Sequence, residues 1–373
     1  LESKNIIPFF GLPRQYRDLR EEILSVTDAV YASGQVLDGK CTEAFEYAME
    51  QRCDRQYAVA VNSCTQGLIF AMMAGVDVGG KVLVPNISFV ATVNSVILSG
   101  HDPVLCDTDA KALIDLESVD FALHGAGVRA IMYPNLFGNC IDYDRFRIQT
   151  EFFNDSLFII EDAAQSFGAS YKGIPSGKMG DISVLSFDPT KNLPNYGSGG
   201  MVLTDDYNLY TTILDLRDNG KNDAHSIAGT NSKMSESDCA QMLVKLQHFD
   251  AWQRRRTEIA NYYIDNLKDL VDSTDIILPN EHVVHAWHKF VMICPSRYSL
   301  KEYLIQRGVE TKFHYTAPLS ELPVSSEYLN YNSYDFFKES DAFSKECISL
   351  PIYPELTDYE VEYIVECIQK FFS

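Results

Sequence analysis

The chain has 373 residues, 46% of them hydrophobic and 22% charged, with a formal net charge of -21. Such a length amounts to two or three domains' worth of sequence and can bury more than one core. The acidity is spread along the chain as a solvated surface, and its field argues against nucleic acid or an anionic membrane as partner while leaving room for a small anionic ligand held by local donors.

Nine cysteines occur, none in a C-x-x-C pair, and the odd count in a long chain reads as buried reduced thiols rather than disulfides or a zinc site. No run of about 18 apolar residues could span a membrane. The opening Leu1-Glu2-Ser3-Lys4-Asn5 lacks Met and a signal-peptide pattern and reads as a processing or cloning scar. These features lead us to expect a soluble, cytoplasmic protein.

In chain order, the pattern predicts a helix over 17–31, a Gly-marked loop over 33–40 and a second helix over 42–52. Short apolar runs then alternate with helical segments. Strands are expected at 57–61, 81–84, 103–107, 129–133, 157–161, 182–187 and 200–203. This is the signature of an α/β domain with a mostly parallel sheet, the two last strands lying close enough for one to run antiparallel. A long helical stretch covers 235–270. A smaller mixed region follows, with a strand at 289–293, a helix at 300–307 and a final helix at 358–372. The expected division is a large α/β domain, 1–250, and a small C-terminal α/β domain, 251–373.

Ligands of open α/β sheets bind where strands end, so the residues after each run are the informative ones. After 57–61 comes Asn62-Ser63-Cys64-Thr65-Gln66-Gly67, a small-residue turn into a helix. Its free N–H groups suit a phosphate, although the same turn also reads as an ordinary N-cap. No G-x-G-x-x-G or G-x-x-x-x-G-K-[ST] loop is present, which lowers the case for a dinucleotide or ATP. The run 157–161 leads into Glu161-Asp162-Ala163-Ala164-Gln165. A carboxylate there needs a neutralising partner. Asp162 suits a protonated ring nitrogen and equally suits an N-cap. Finally, Lys191 sits in Ser186-Phe187-Asp188-Pro189-Thr190-Lys191-Asn192-Leu193, just before a Gly-rich bend. Desolvation there would turn its amine into a nucleophile and base.

These pieces together resemble the DegT/StrS group of nucleotide-sugar aminotransferases, fold-type-I enzymes that use pyridoxal 5'-phosphate (PLP). The likeness also covers Ile7-Pro8-Phe9, Arg14-Gln15-Tyr16, Ser33 to Glu46, Val84 to Thr92, Gly308-Val309-Glu310-Thr311, His314-Tyr315 and Leu350 to Pro354. The resemblance implies that 1–250 binds the cofactor and that Lys191 holds it as a Schiff base and shuttles protons. It implies that Asp162 pairs with the pyridinium nitrogen, Gln165 contacts the ring hydroxyl side and Phe89 stacks on the ring. Ser186 and the Cys64–Thr65 turn would hold the phosphate, and Asn231 would reach the phosphate in a neighbouring subunit of a homodimer. His314 and Tyr315 would line the sugar side. Two positions depart from the family pattern. Lys233 stands where Arg is frequent, and Cys64 and Gln66 stand where smaller residues are common.

The implied reaction moves an amino group from glutamate, through pyridoxamine phosphate, to a 3- or 4-keto-6-deoxyhexose linked to a nucleotide. The product would be an amino sugar for a surface glycan or secondary metabolite. The rivals are a sugar dehydratase, where a His replaces the lysine, a cysteine desulfurase, which needs a reactive loop Cys, and a catalytically idle PLP-binding regulator. A metal enzyme built on His282, His285 and His288 would need nearby carboxylates at ligand spacing, so no metal is expected.

Overall fold

The computed structural model describes residues 6–125, 127–153, 157–221, 224–268, 270, 274–328 and 337–373. The first five residues therefore lie outside it, and with them the expected scar. Helix α1 (Leu12–Ser33) begins before the expected position because Pro13 occupies its first turn, where the missing N–H is no loss. Gly34, at φ 74°, ends it in the left-handed conformation that glycine adopts without strain. Helix α2 (Lys40–Cys53) leads into β1 (Tyr57–Val61), α3 (Cys64–Gly75), β2 (Lys81–Pro85), α4 (Ala91–Leu98) and β3 (Asp102–Cys106). Then follow α5 (Leu116–Gly125), β4 (Val128–Pro134), α6 (Tyr143–Phe153), β5 (Phe158–Asp162), the short β6 (Ser170–Tyr171) and β7 (Ile174–Pro175), β8 (Ile182–Ser186), β9 (Gly200–Thr204) and α7 (Tyr207–Arg217).

The main sheet has seven strands in the order β1-β9-β8-β5-β4-β2-β3. All run parallel except β9, which pairs antiparallel with both β1 and β8. The sheet is buried on both faces, as parallel sheets are. Residues of alternating parity feed different cores. Val59, Val61, Val82, Val84, Val184 and Val202 pack under α3, α4 and α7, whereas Leu83, Ile131 and Tyr133 face α5 and α6. Ala58, Ala60, Leu185 and Met201 face α2 and the long helix α8 (Glu236–Leu267). That helix opens on Ser235, whose Oγ accepts the Asp238 N–H, and ends at Leu267 rather than 270; residue 269 is outside the described set.

After α8 come β10 (Asp275–Ile276), β11 (Val283–Val284), β12 (Phe290–Ile293), α9 (Arg297–Gln306), α10 (Lys338–Glu346), β13 (Cys347–Leu350) and α11 (Asp358–Phe372). Strands β10-β12-β13 form a small antiparallel sheet, and β11-β6-β7 form another. A separate core gathers around the first of these from α8, α9 and α11, with Ile7 as its contribution from the start of the chain. Among the described residues no helix is long and apolar enough to cross a membrane.

Candidate active site

Because β1, β2, β4, β5 and β8 all run the same way, their carboxyl ends share one edge of the sheet. After β1, Ser63 caps α3 with its Oγ accepting the Gln66 N–H at 3.2 Å. The first-turn N–H groups of Cys64 and Thr65 have no partner within the helix and point outward with its positive end. Gly200 opens β9 directly against this turn; a Cβ there would stand 2.7 Å from Cys64 N, so only glycine permits the approach.

At the end of β5 the two acids have different fates. Glu161 is fully buried and satisfied by Asn135 Nδ2 (2.9 Å), Ser176 Oγ (2.9 Å), Ser183 Oγ (2.7 Å) and the N–H groups of Gly177 and Met179. It is a structural anchor for the chain between β7 and β8. Asp162 is 6% exposed, and among the described residues its carboxylate accepts the Ala164 N–H (3.1 Å) and the Thr92 hydroxyl (3.3 Å) and no other donor. Burial raises its pKa above the usual carboxylate value, the Ala164 N–H and the Lys191 cation pulling the other way. Among the described residues no cation forms an ion pair with this carboxylate, and Lys191 acts on it only through its field.

After β8, Ser186 accepts the Asp188 N–H, and a tight turn brings the Lys191 N–H to the Asp188 carbonyl. Asn192 is buried and fixes this loop, its Nδ2 donating to the Ala286 carbonyl (2.7 Å) and its Oδ1 meeting His288 Nδ1 (3.1 Å). Charges at Asp162 and Lys191 both act on Cys64, whose thiol is pushed well above its ordinary value by burial first of all. Lys191 and Asp162 thus both lie within electrostatic reach of the α3 turn.

The remaining wall comes from loops. Phe89 is 56% exposed, with its ring 6.3 Å from that of Tyr315. Gln165 accepts the Phe137 N–H (3.1 Å) and donates to the Tyr315 hydroxyl (2.9 Å). His314 pairs through Nδ1 with Ser349 Oγ (2.8 Å), and burial with the Lys289, Lys312 and Lys191 cations holds it well below the usual imidazole range.

A family model for the DegT/DnrJ/EryC1/StrS aminotransferases matches residues 17–369. The chain belongs to this family. A dTDP-3-amino-3,4,6-trideoxy-alpha-D-glucose transaminase of Streptomyces venezuelae is 30% identical over 98% of this chain and 96% of its own. A pleiotropic regulatory protein of Geobacillus stearothermophilus is 31% identical over 98% of both chains. Among solved structures, S. venezuelae DesV in complex with a ketimine intermediate superposes with a TM-score of 0.93 at 30% identity, over 99% of both chains.

The aminotransferase is therefore PLP-dependent, and its residues fit that cofactor. The fit rests on a buried carboxylate short of a cation, a lysine amine in the same field, and a helix N-terminus with unused N–H groups. Asn231 stands exposed in the segment that runs beside the end of β1, where Asn62 N–H donates to the Ser232 carbonyl. No hydrogen bond or ring contact among the described residues joins Asn231 to Lys191, Asp162 or Phe89. Lys233, the departure from the family's Arg, pairs with Asp218 and Asp38 inside the chain.

The histidines considered for a metal have other partners. His285 Nδ1 accepts the Trp287 N–H (2.9 Å), with its pKa lowered to about 3 mainly by burial, and His288 holds Asn192. Among the described residues no group of three metal-ligating side chains converges. Neither the pairing of Thr92 with Asp162 nor the buried Lys289 carries a local signal in the sequence, since only folding brings Thr92 to β5.

Proposed function

We propose that this aminotransferase moves the amino group of glutamate onto the keto carbon of a nucleotide-linked 3- or 4-keto-6-deoxyhexose, for an amino sugar of a surface glycan or secondary metabolite. The observation that carries the reading is the buried, under-neutralised Asp162 lying in the field of the Lys191 cation, with both charges acting on Cys64 at the α3 N-terminus. The named activity of the S. venezuelae transaminase supports the sugar class.

Bound there, PLP supplies the electron sink that lets a proton leave an amino-bearing carbon. Asp162 keeps the ring nitrogen protonated, since a close carboxylate favours the charged form by about 1–3 pKa units. Lys191 holds the cofactor. Its freed Nζ takes the proton from the donor's amino-bearing carbon and, in the second half, gives one to the sugar carbon. The N–H groups of Cys64 and Thr65, with Ser186 Oγ, seat the phosphate, and the neutral Cys64 thiol adds no charge against it. Phe89 covers one ring face, and Gln165, itself fixed by Tyr315, sits on the hydroxyl side. His314 and Tyr315 border the sugar, and Asn231 of the partner subunit completes the phosphate seat of a homodimer.

A dehydratase would need His in place of Lys191. An idle regulator would retain the cofactor without turnover. Screening nucleotide-linked keto-sugars with glutamate tests the proposal directly: at least one sugar is aminated, and Lys191→Ala abolishes turnover while the fold persists. A coloured protein that aminates none of them would favour the regulator.

A further inference from the structure

We propose that Lys289 and Lys312 form a carboxylate seat beside Lys191 and that the carboxylate they take belongs to the amino-acid donor. The inference rests on the aminotransferase reading above and deepens it on the donor side.

Lys289 lies at the entry to β12, and this stretch is tied to the Lys191 loop. Asn192, next to Lys191, bonds to Ala286 and His288 at 2.7 and 3.1 Å, while the Lys289 N–H donates to the Phe137 carbonyl at 3.1 Å. Lys312 comes from a different segment, paired with Ser349 of β13 by reciprocal backbone bonds of 3.2 and 2.7 Å. The two ammonium groups nevertheless converge on one aromatic pair. Lys289 Nζ stands 5.2 and 4.4 Å from the Phe9 and Phe10 ring centres, and Lys312 Nζ 5.4 and 4.5 Å from the same rings. Phe9 in turn lies 5.7 Å from the ring of His314, on the sugar side of the site. Lys312 is exposed and Lys289 is only 5% exposed, so the first amine meets solvent and the second is buried.

Neither lysine forms an ion pair with a carboxylate among the described residues. The other charges facing Lys289 are Lys191, Arg256 and Lys312, with Asp188 as the opposing acid. Asp188 is exposed, and its Oδ1 is engaged by the Thr190 N–H and hydroxyl. Glu310, close in sequence to Lys312, accepts the Phe9 N–H. Burial and the neighbouring cations hold the Lys289 amine well below the usual lysine range, which an arriving carboxylate would reverse. A lysine without an acid at this depth is costly, and an apolar side chain would fill the place better if packing were its only task. The faces of Phe9 and Phe10 recover only part of that cost.

An anion brought by a substrate accounts for the arrangement. The cofactor phosphate already has the α3 turn. The amino donor is a small carboxylate that must approach the Lys191 amine without the contact area a nucleotide provides, so a dedicated pair of cations suits it.

The test separates the two half-reactions. Protein loaded with PLP is mixed with glutamate alone, and the decay of the visible band gives the half-saturating donor concentration. The pyridoxamine form is mixed with keto-sugar alone in a second arm, and calorimetry measures the binding of glutarate, a dicarboxylate with no amine. Lys289→Met and Lys312→Met should each raise the glutamate and glutarate concentrations needed by about tenfold or more, as expected for a lost charge-assisted hydrogen bond. Cofactor colour and the sugar arm should be unchanged. Should Lys289→Met fail to fold, Lys312→Met at the exposed lysine carries the test. Unchanged donor and glutarate binding would overturn the proposal, as would an effect confined to the sugar arm or to retention of PLP. If wild-type protein keeps its colour in glutamate, the proposed donor falls, and the glutarate arm still decides on the seat.

Discussion

At the scale of single residues, the site turns on which buried charges are paired. Glu161 and Asp162 are adjacent in sequence, yet only Glu161 is saturated with donors. Asp162 is left for a ligand, and its raised pKa has a consequence for stability. In the cofactor-free protein the folded state holds this proton more tightly than the unfolded chain does. Stability from this group is therefore present at low pH and is lost as pH rises through the folded pKa. Asp162→Asn should melt no lower than wild type at neutral pH without cofactor. With PLP and substrates, its turnover should fall by about 10² or more; activity close to wild type would remove Asp162 from the ring nitrogen. Lys191 and Asp162 could be picked out as candidates in the sequence because Asp162 ends an apolar strand, Lys191 lies in the loop after another, and each sits in a family motif. Lys289 could not, because its role depends on Phe9, Phe10 and Lys312 arriving from distant segments. In sequence it reads only as the first residue of a strand.

At the scale of elements, the phosphate seat depends on one cap and one glycine. Ser63→Ala removes the side-chain acceptor at the α3 N-terminus and should cost about 1 kcal/mol by denaturant unfolding, together with weaker cofactor binding. Gly200→Ala places a methyl group 2.7 Å from Cys64 N and Ser63 C. It should push β9 from the turn and lower PLP affinity more than Ser63→Ala does, as equilibrium titration of the visible band would read. The main strands were legible because each is a short apolar run bounded by turn residues. One antiparallel strand was expected from the closeness of the last two runs, and it is β9. Strands β6, β7 and β11 are two residues each and carry no periodic signal, so only tertiary packing against one another reveals them. Helix α1 starts earlier than expected because Pro13 is tolerated in its first turn.

At the scale of the whole molecule, α8 connects the cofactor-binding sheet with the C-terminal core. Lys245, on this helix, is fully buried, donates to the Pro194 carbonyl of the Lys191 loop and lies over the Tyr196 ring at 3.3 Å. Burial lowers its pKa from 10.5 to about 7. Between those values the unfolded chain binds the extra proton, so stability should rise with pH above 7, approaching ~1.4 kcal/mol per pH unit from this one group. Melting temperatures across that range should show the slope in wild type and lose it in Lys245→Met. The proposed sharing of sites between subunits predicts that inactive Lys191→Ala and Asn231→Ala proteins regain activity when mixed and reassociated, because one site of the mixed dimer has both residues.

Whether Lys191 holds the cofactor is decided by borohydride reduction followed by peptide mass spectrometry. The protein should be yellow, lose its visible band on reduction and carry a single phosphopyridoxyl label on Lys191. A colourless protein, or a label on any other lysine, would contradict that role.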